Sequence, residues 1–129
     1  MISKKKKIYF FKQYKKILCF DLDGIICKTE LSKYNKSIPI KKNIKLINKL
    51  YFLDYYIKIY TARGMGRAKD RPSIAKKKYY KLTLKQLNSW KVKFHKLHFG
   101  KISYDLLIDD KALFFNKNWA NFLTKKLKT

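Results

Sequence analysis

The sequence predicts an α/β fold, a Rossmann-like three-layer α/β/α sandwich around a central, mainly parallel sheet. Three observations predict it. Short β-rich apolar runs at 17–20, 55–60, 94–99 and 105–108 alternate with stretches of helical periodicity. Three of these runs stop abruptly, at Asp-Leu-Asp-Gly, at Thr-Ala-Arg-Gly and at Asp-Asp. The chain has 129 residues, 47% of them hydrophobic, enough for one domain with its own core. Strands that alternate with helices imply a parallel sheet covered on both faces, with function at the carboxyl ends of the strands.

Along the chain, residues 1–16 form a lysine-rich N-terminal extension. Its short aromatic cluster, Tyr9, Phe10 and Phe11, suits either a frayed arm or a strand added to a sheet edge. A single domain follows over 17–125. Ile17–Phe20 reads as a buried strand running into a turn. After a polar loop, Pro39 sits where a first helical residue is favoured, and Ile40, Ile44, Ile47 and Tyr51 then recur at helical spacing. The second strand is Tyr55–Tyr60. A second helix opens near Pro72, with Tyr80, Leu84, Leu87 and Trp90 on one face and lysines on the other. Phe94–Phe99 and Asp105–Ile108 are the third and fourth strands, and Phe115, Trp119 and Phe122 give the last helix its apolar stripe.

The balance of 33 basic against 8 acidic residues gives a formal charge of +25. Charge of this size suits a polyanionic partner. Only Arg63, Arg67 and Arg71 among the basic residues are arginine, however, and lysine is the poorer bidentate reader of phosphate. Lysines spread over the whole chain with abundant Ile, Asn, Tyr and Phe fit compositional drift better than a selected nucleic-acid surface. Two cysteines exclude the disulfide-rich secreted class and suit a reducing cytoplasm. No apolar run approaches the roughly 20 residues of a membrane span, so no membrane partner is expected.

Acidic residues are the scarce resource, and half of them, Asp21, Asp23, Asp109 and Asp110, directly follow two of the expected strands. Carboxylates gathered at one edge repel unless a proton or a cation is shared. Oxygen-only ligands favour Mg²⁺, held by one or two carboxylates plus a substrate phosphate. Thr61, ending the second strand, and Lys101, just after Gly100, could hold and neutralise a phosphate oxygen. The order along the chain is therefore Asp-x-Asp-Gly, Thr, Lys, Asp-Asp.

That ordered set resembles the haloacid dehalogenase superfamily of phosphotransferases. The matching segments are Cys-Phe-Asp-Leu-Asp-Gly-Ile at 19–25, Ile-Tyr-Thr-Ala-Arg at 59–63, Lys101, and Leu-Ile-Asp-Asp at 107–110. The resemblance implies Asp21 as nucleophile of an aspartyl-phosphate intermediate. It implies Asp23 as the acid and base. Thr61 and Lys101 would orient the phosphoryl group. Asp21, the backbone carbonyl of Asp23 and Asp109 would hold Mg²⁺, with Asp110 acting through water or Lys101. The intervals between motifs leave no room for a cap domain, so the open site would take a bulky substrate or be covered by a second subunit in a homo-oligomer. The small capless members it is most similar to include phosphatases of capsule and surface-polysaccharide biosynthesis. A phosphorylated small molecule, a phosphosugar or sugar-nucleotide precursor, is then the expected substrate. The pattern departs at Ile102, where a proline often stands, and in residues 1–16.

Arg63 and Arg67, in the loop after Thr61 with Ala62, are candidates for the rest of the substrate, against surface pairing with Asp70. A nucleotide or nucleic-acid end phosphatase, or a basic nucleic-acid-binding module on the same scaffold, is the alternative, with Tyr79, Tyr80 and Trp90 as stacking surfaces that helical spacing assigns more readily to the core. His95, His98, Cys19 and Cys27 match no common zinc spacing. A receiver domain would place its acidic pair before the phosphorylated aspartate, and a DxD glycosyltransferase would need a nucleotide-binding region ahead of Asp21.

Overall fold

The computed structural model describes residues 8–9 and 12–129. Strands β1 (Ile8–Tyr9) and β2 (Lys12–Gln13) form a two-residue antiparallel pair of their own, separate from the main sheet. Phe10 and Phe11 of the aromatic cluster lie outside the described residues.

The chain is a mixed α/β fold with a central parallel sheet flanked by helices. Strand β3 (Ile17–Asp21) begins it, and β4 (Cys27–Lys28) and β5 (Ile38–Pro39) then pair with each other across a short loop. Helix α1 (Lys41–Phe52), strand β6 (Tyr56–Thr61), helix α2 (Pro72–Ser89), strand β7 (Lys96–Phe99) and helix α3 (Trp119–Leu127) follow. The sheet order is β3-β6-β7, all parallel. β6 is central and the most deeply buried, which suits its run of Tyr, Ile and Thr.

Register decides what meets at the carboxyl edge. Ile17 pairs with Tyr56 and Asp21 with Tyr60, while Thr61 pairs with Phe99. The ladder carries on one step beyond β7, where the Lys101 amide donates to the Thr61 carbonyl at 3.2 Å. Asp21, Thr61 and Lys101 therefore lie at the same carboxyl edge, with Asp21 one register step behind Thr61.

The main core joins Phe20, Leu22 and Ile26 with Ile44, Ile47 and Leu50 of α1, Ile57 and Ile59 of β6, Leu87 of α2, and Trp119 and Leu123 of α3. Full burial of each such side chain contributes about 1.5–3 kcal/mol, which is why the apolar positions of α1 dictate its orientation. A smaller cluster of Met65, Ala68 and Ala75 packs the loop after Thr61 onto α2.

Several expected elements differ. Pro39 lies in β5, two residues before α1, because its partner is Cys27. The stripe of α3 runs through Trp119, Leu123 and Leu127; Phe115 precedes the helix and Phe122 is exposed. On α2 the fully or mostly buried positions are Ala75, Thr83, Gln86 and Leu87, with Tyr80 and Leu84 half-buried. Cys19 is exposed on β3 rather than buried in the core. The fourth strand is absent among the described residues: 101–118 is irregular, and Leu106, Leu107 and Ile108 are exposed. The chain beyond Gly100 is instead held toward the loop after Thr61, where the Ser103 amide donates to Asp70. Among the described residues no helix is long and apolar enough to cross a membrane.

Candidate active site

Asp21 is the last residue of β3, and its carboxylate faces Lys101, with Nζ 3.4 Å from Oδ2. Burial pushes the Asp21 carboxyl up; the Lys101 charge and hydrogen bond pull against that, and Asp23 adds to the rise. Burial likewise pulls on Lys101 in the direction of losing its proton, but Asp21 and Tyr104 outweigh it and leave the ammonium pKa raised. The Tyr104 ring also lies under Nζ, 5.6 Å from its centroid.

Thr61 ends β6 and is wholly buried. Its Oγ1 accepts the Arg63 backbone amide at 3.0 Å, a local turn that leaves the hydroxyl hydrogen for another acceptor. The loop from Ala62 to Arg71 then winds through successive turns, with Met65 N–H on the Ala62 carbonyl and Ala68 N–H on the Gly64 carbonyl. Gly64 is required there. It has φ +76°, and a Cβ would lie 2.7 Å from the Tyr79 ring. Gly100 plays the matching part after β7, with φ +100° and Pro72 2.9 Å from an added Cβ.

Asp23 is gripped from several sides. Arg63 Nη2 lies 3.0 Å from Oδ1 and Nε 3.1 Å from Oδ2. The Thr29 hydroxyl and the Cys27 thiol also donate to Oδ1. Asp23 thus stands beside Asp21 as a partner of Arg63, rather than in a cluster of unpaired carboxylates. Burial and the neighbouring Asp23 charge push the Cys27 thiol up to about 11.

Arg63, a candidate for contact with substrate, is turned inward instead: it is 1% exposed. Its guanidinium is spent on protein partners, and its face lies 5.0 Å from the Tyr34 ring centroid. Sequence reasoning missed those partners, Thr83 and Gln86 on α2 and Ser37 in the preceding loop. Two polar residues at consecutive turns of an otherwise apolar helix face were the signal for a buried charge. Ala62 is half-buried and Arg67 exposed on the same loop; Arg71 donates from Nε to the Ala68 carbonyl.

Asp109 and Asp110 lie in the exposed 101–118 segment, where Asp109 caps the Lys111 amide. Among the described residues no group of three or more His, Cys, Asp or Glu side chains is gathered that could hold a metal ion. Two of the four expected ligands meet at the strand edge, and the other two stay apart from them. The supposed stacking residues are occupied: Tyr79 packs edge-on to Tyr34, Tyr80 against Phe99, and Trp90 on the main core. His95 accepts the Ile57 amide and stacks between Tyr51 and Tyr56.

No protein-family model and no curated protein matches the chain. The fold is similar to the crystal structure of a structural genomics target from Vibrio cholerae, with 23% identity and a TM-score of 0.71, covering 87% of this chain and 98% of that one. At that identity the likeness shows the fold alone.

Proposed function

We propose that the protein is a capless phosphomonoesterase of the haloacid dehalogenase type, in which Asp21 carries the phosphoryl group. The observation that supports this reading is the meeting of Asp21, Thr61 and Lys101 at one strand edge, with Lys101 Nζ 3.4 Å from Asp21 Oδ2 and Asp23 alongside. The short intervals support the absence of a cap. Between Asp23 and β6 lie only β4, a single helical turn at Tyr34–Lys36, β5 and α1; between Thr61 and β7 lie a packed loop and α2.

In this reading an Asp21 carboxylate oxygen attacks phosphorus in line, and the bond to the ester oxygen breaks. Asp23 gives its proton to that leaving oxygen. Lys101 bears the phosphoryl oxygens, while Thr61, wholly buried and accepting the Arg63 amide, orients the strand end beneath them, so catalysis is mainly positioning and charge stabilisation. Asp23, now a carboxylate, takes a proton from the water that releases phosphate from Asp21. A bound Mg²⁺, held by Asp21, the Asp23 carbonyl and Asp109, would supply further positive charge to the phosphoryl group. The oxygen-only donor set supports that cation, although the described residues do not gather its ligands at one place.

An open strand edge suits a phosphosugar or sugar-nucleotide precursor of surface polysaccharide, acted on in the cytoplasm, with a second subunit able to cover it. The test is phosphate release from p-nitrophenyl phosphate with and without Mg²⁺, for the wild type and Asp21→Asn. Metal-dependent release that Asp21→Asn abolishes is expected. Equal release by the variant would overturn the reading.

A further inference from the structure

We infer that Arg63 is a positioning residue, which holds the Asp23 carboxylate beside Asp21 by tying it to α2 and to the loop at 29–37. This inference rests on the phosphomonoesterase reading, in which Asp23 is the acid. Three observations carry it. First, the guanidinium is shut away from any substrate, with its side chain 0% exposed while that of Asp23 is 27% exposed. Second, every nitrogen has an assigned partner. Nε reaches Asp23; Nη1 donates to Thr83 at 3.1 Å and to Gln86 Oε1 at 2.6 Å; Nη2 donates to Asp23 and, at 3.1 Å, to Ser37.

Third, those partners are themselves bound to one another. Gln86 Nε2 donates to the Tyr34 carbonyl at 2.6 Å, and Thr29 shares hydrogen bonds with both Asp23 and Ser37. The network closes on itself, so the carboxylate is fixed relative to a helix and a loop at once. A planar fork of five donors does this where an ammonium could not. Asp23 follows the end of β3, outside the main ladder, and without the fork only the Thr29 hydroxyl and the Cys27 thiol, both on one oxygen, would hold its carboxylate. A loosely held acid transfers its proton poorly, because proton transfer demands hydrogen-bond geometry.

The experiment follows the leaving group. An acid matters most when the departing alkoxide is poor, so kcat/KM for glycerol 2-phosphate should depend on Asp23 far more than kcat/KM for p-nitrophenyl phosphate. Arg63→Lys keeps the charge and loses the fork. It should lower kcat/KM about 100-fold on the glycerol ester and less than about 10-fold on the aryl ester, within the range acid catalysis supplies. Asp23→Asn should show the same selectivity, and the double variant should be no worse than Asp23→Asn alone.

The pair Thr83→Val and Gln86→Met, made together, loosens Arg63 while leaving it in place, and should shift the same ratio in the same direction should Arg63→Lys fail to fold. Equal losses on both esters would overturn the positioning role, as would a double variant whose losses multiply or a rise in KM alone. A wild type that releases phosphate from neither ester would instead overturn the phosphomonoesterase reading, and this inference with it.

Discussion

Lys101 and Asp21 face each other across the end of the sheet, 3.4 Å apart, although they belong to opposite edges of the β3-β6-β7 order. Gly100, with φ of +100°, directly precedes Lys101, whose amide still bonds to the Thr61 carbonyl. Burial raises the Asp21 carboxyl and Lys101 counters it. Lys101→Met should therefore move the acidic limb of kcat/KM to higher pH, since the nucleophile must be ionised and would lose its opposing charge. It should also lower kcat/KM by about 10²–10³, as expected for removal of one charge-stabilising group. An unmoved limb in the pH–rate profile would separate the two residues functionally.

Gly64 joins the loop after Thr61 to α2 by a contact that only a residue without Cβ permits. Gly64→Ala should cost about 1–3 kcal/mol, through left-handed backbone and overpacking against Tyr79. Gly66, with nothing within 4 Å of an added Cβ, should accept alanine nearly unchanged. Urea unfolding of the two variants reads the difference, and equal midpoints would contradict the packing described.

The thiol of Cys27 is raised to about 11 from an ordinary value of 9.0. In the folded state the proton is held to higher pH than in the unfolded chain, so the stabilisation is full below about pH 9 and is lost as pH rises from there through 11. The wild type should accordingly lose about 2–3 kcal/mol more than Cys27→Ala over that interval. Parallel alkaline unfolding curves would show that burial does not hold the proton.

Lys111 lies beside Asp109 in the exposed 101–118 segment. A cation shared by Asp21 and Asp109 would draw that segment to the strand edge, so Mg²⁺ should slow tryptic cleavage at Lys111, and Asp109→Asn should remove the protection. Cleavage indifferent to Mg²⁺ would keep Asp109 and Asp110 out of the site.

The three sheet strands and the helix α1 were legible from period and punctuation, because β6 and the Ile44–Ile47 face are buried as their patterns require. The placement of Asp21, Thr61 and Lys101 at one edge of the sheet was legible, since strand ends follow directly from strand positions. What sequence could not reveal was pairing. Leu106–Ile108 has the composition of a strand, but a strand needs a neighbour, and the segment is drawn by Ser103 toward Asp70. Arg63 read as a substrate or surface cation because its ion-pair partner Asp23 is far along the chain and only the fold brings Thr83 and Gln86 of α2 to it. The error in α3 was one of phase: Trp119 anchors both stripes, and only packing chooses Leu123 over Phe122.

The most direct measurement is to quench wild type acting on a phosphate ester in acid and map the phosphoryl group by peptide mass spectrometry. A hydroxylamine-sensitive phosphoryl group on Asp21, absent from Asp21→Asn, is the expected result. Phosphate release with no phosphorylated protein, or with the group on another residue, would contradict it.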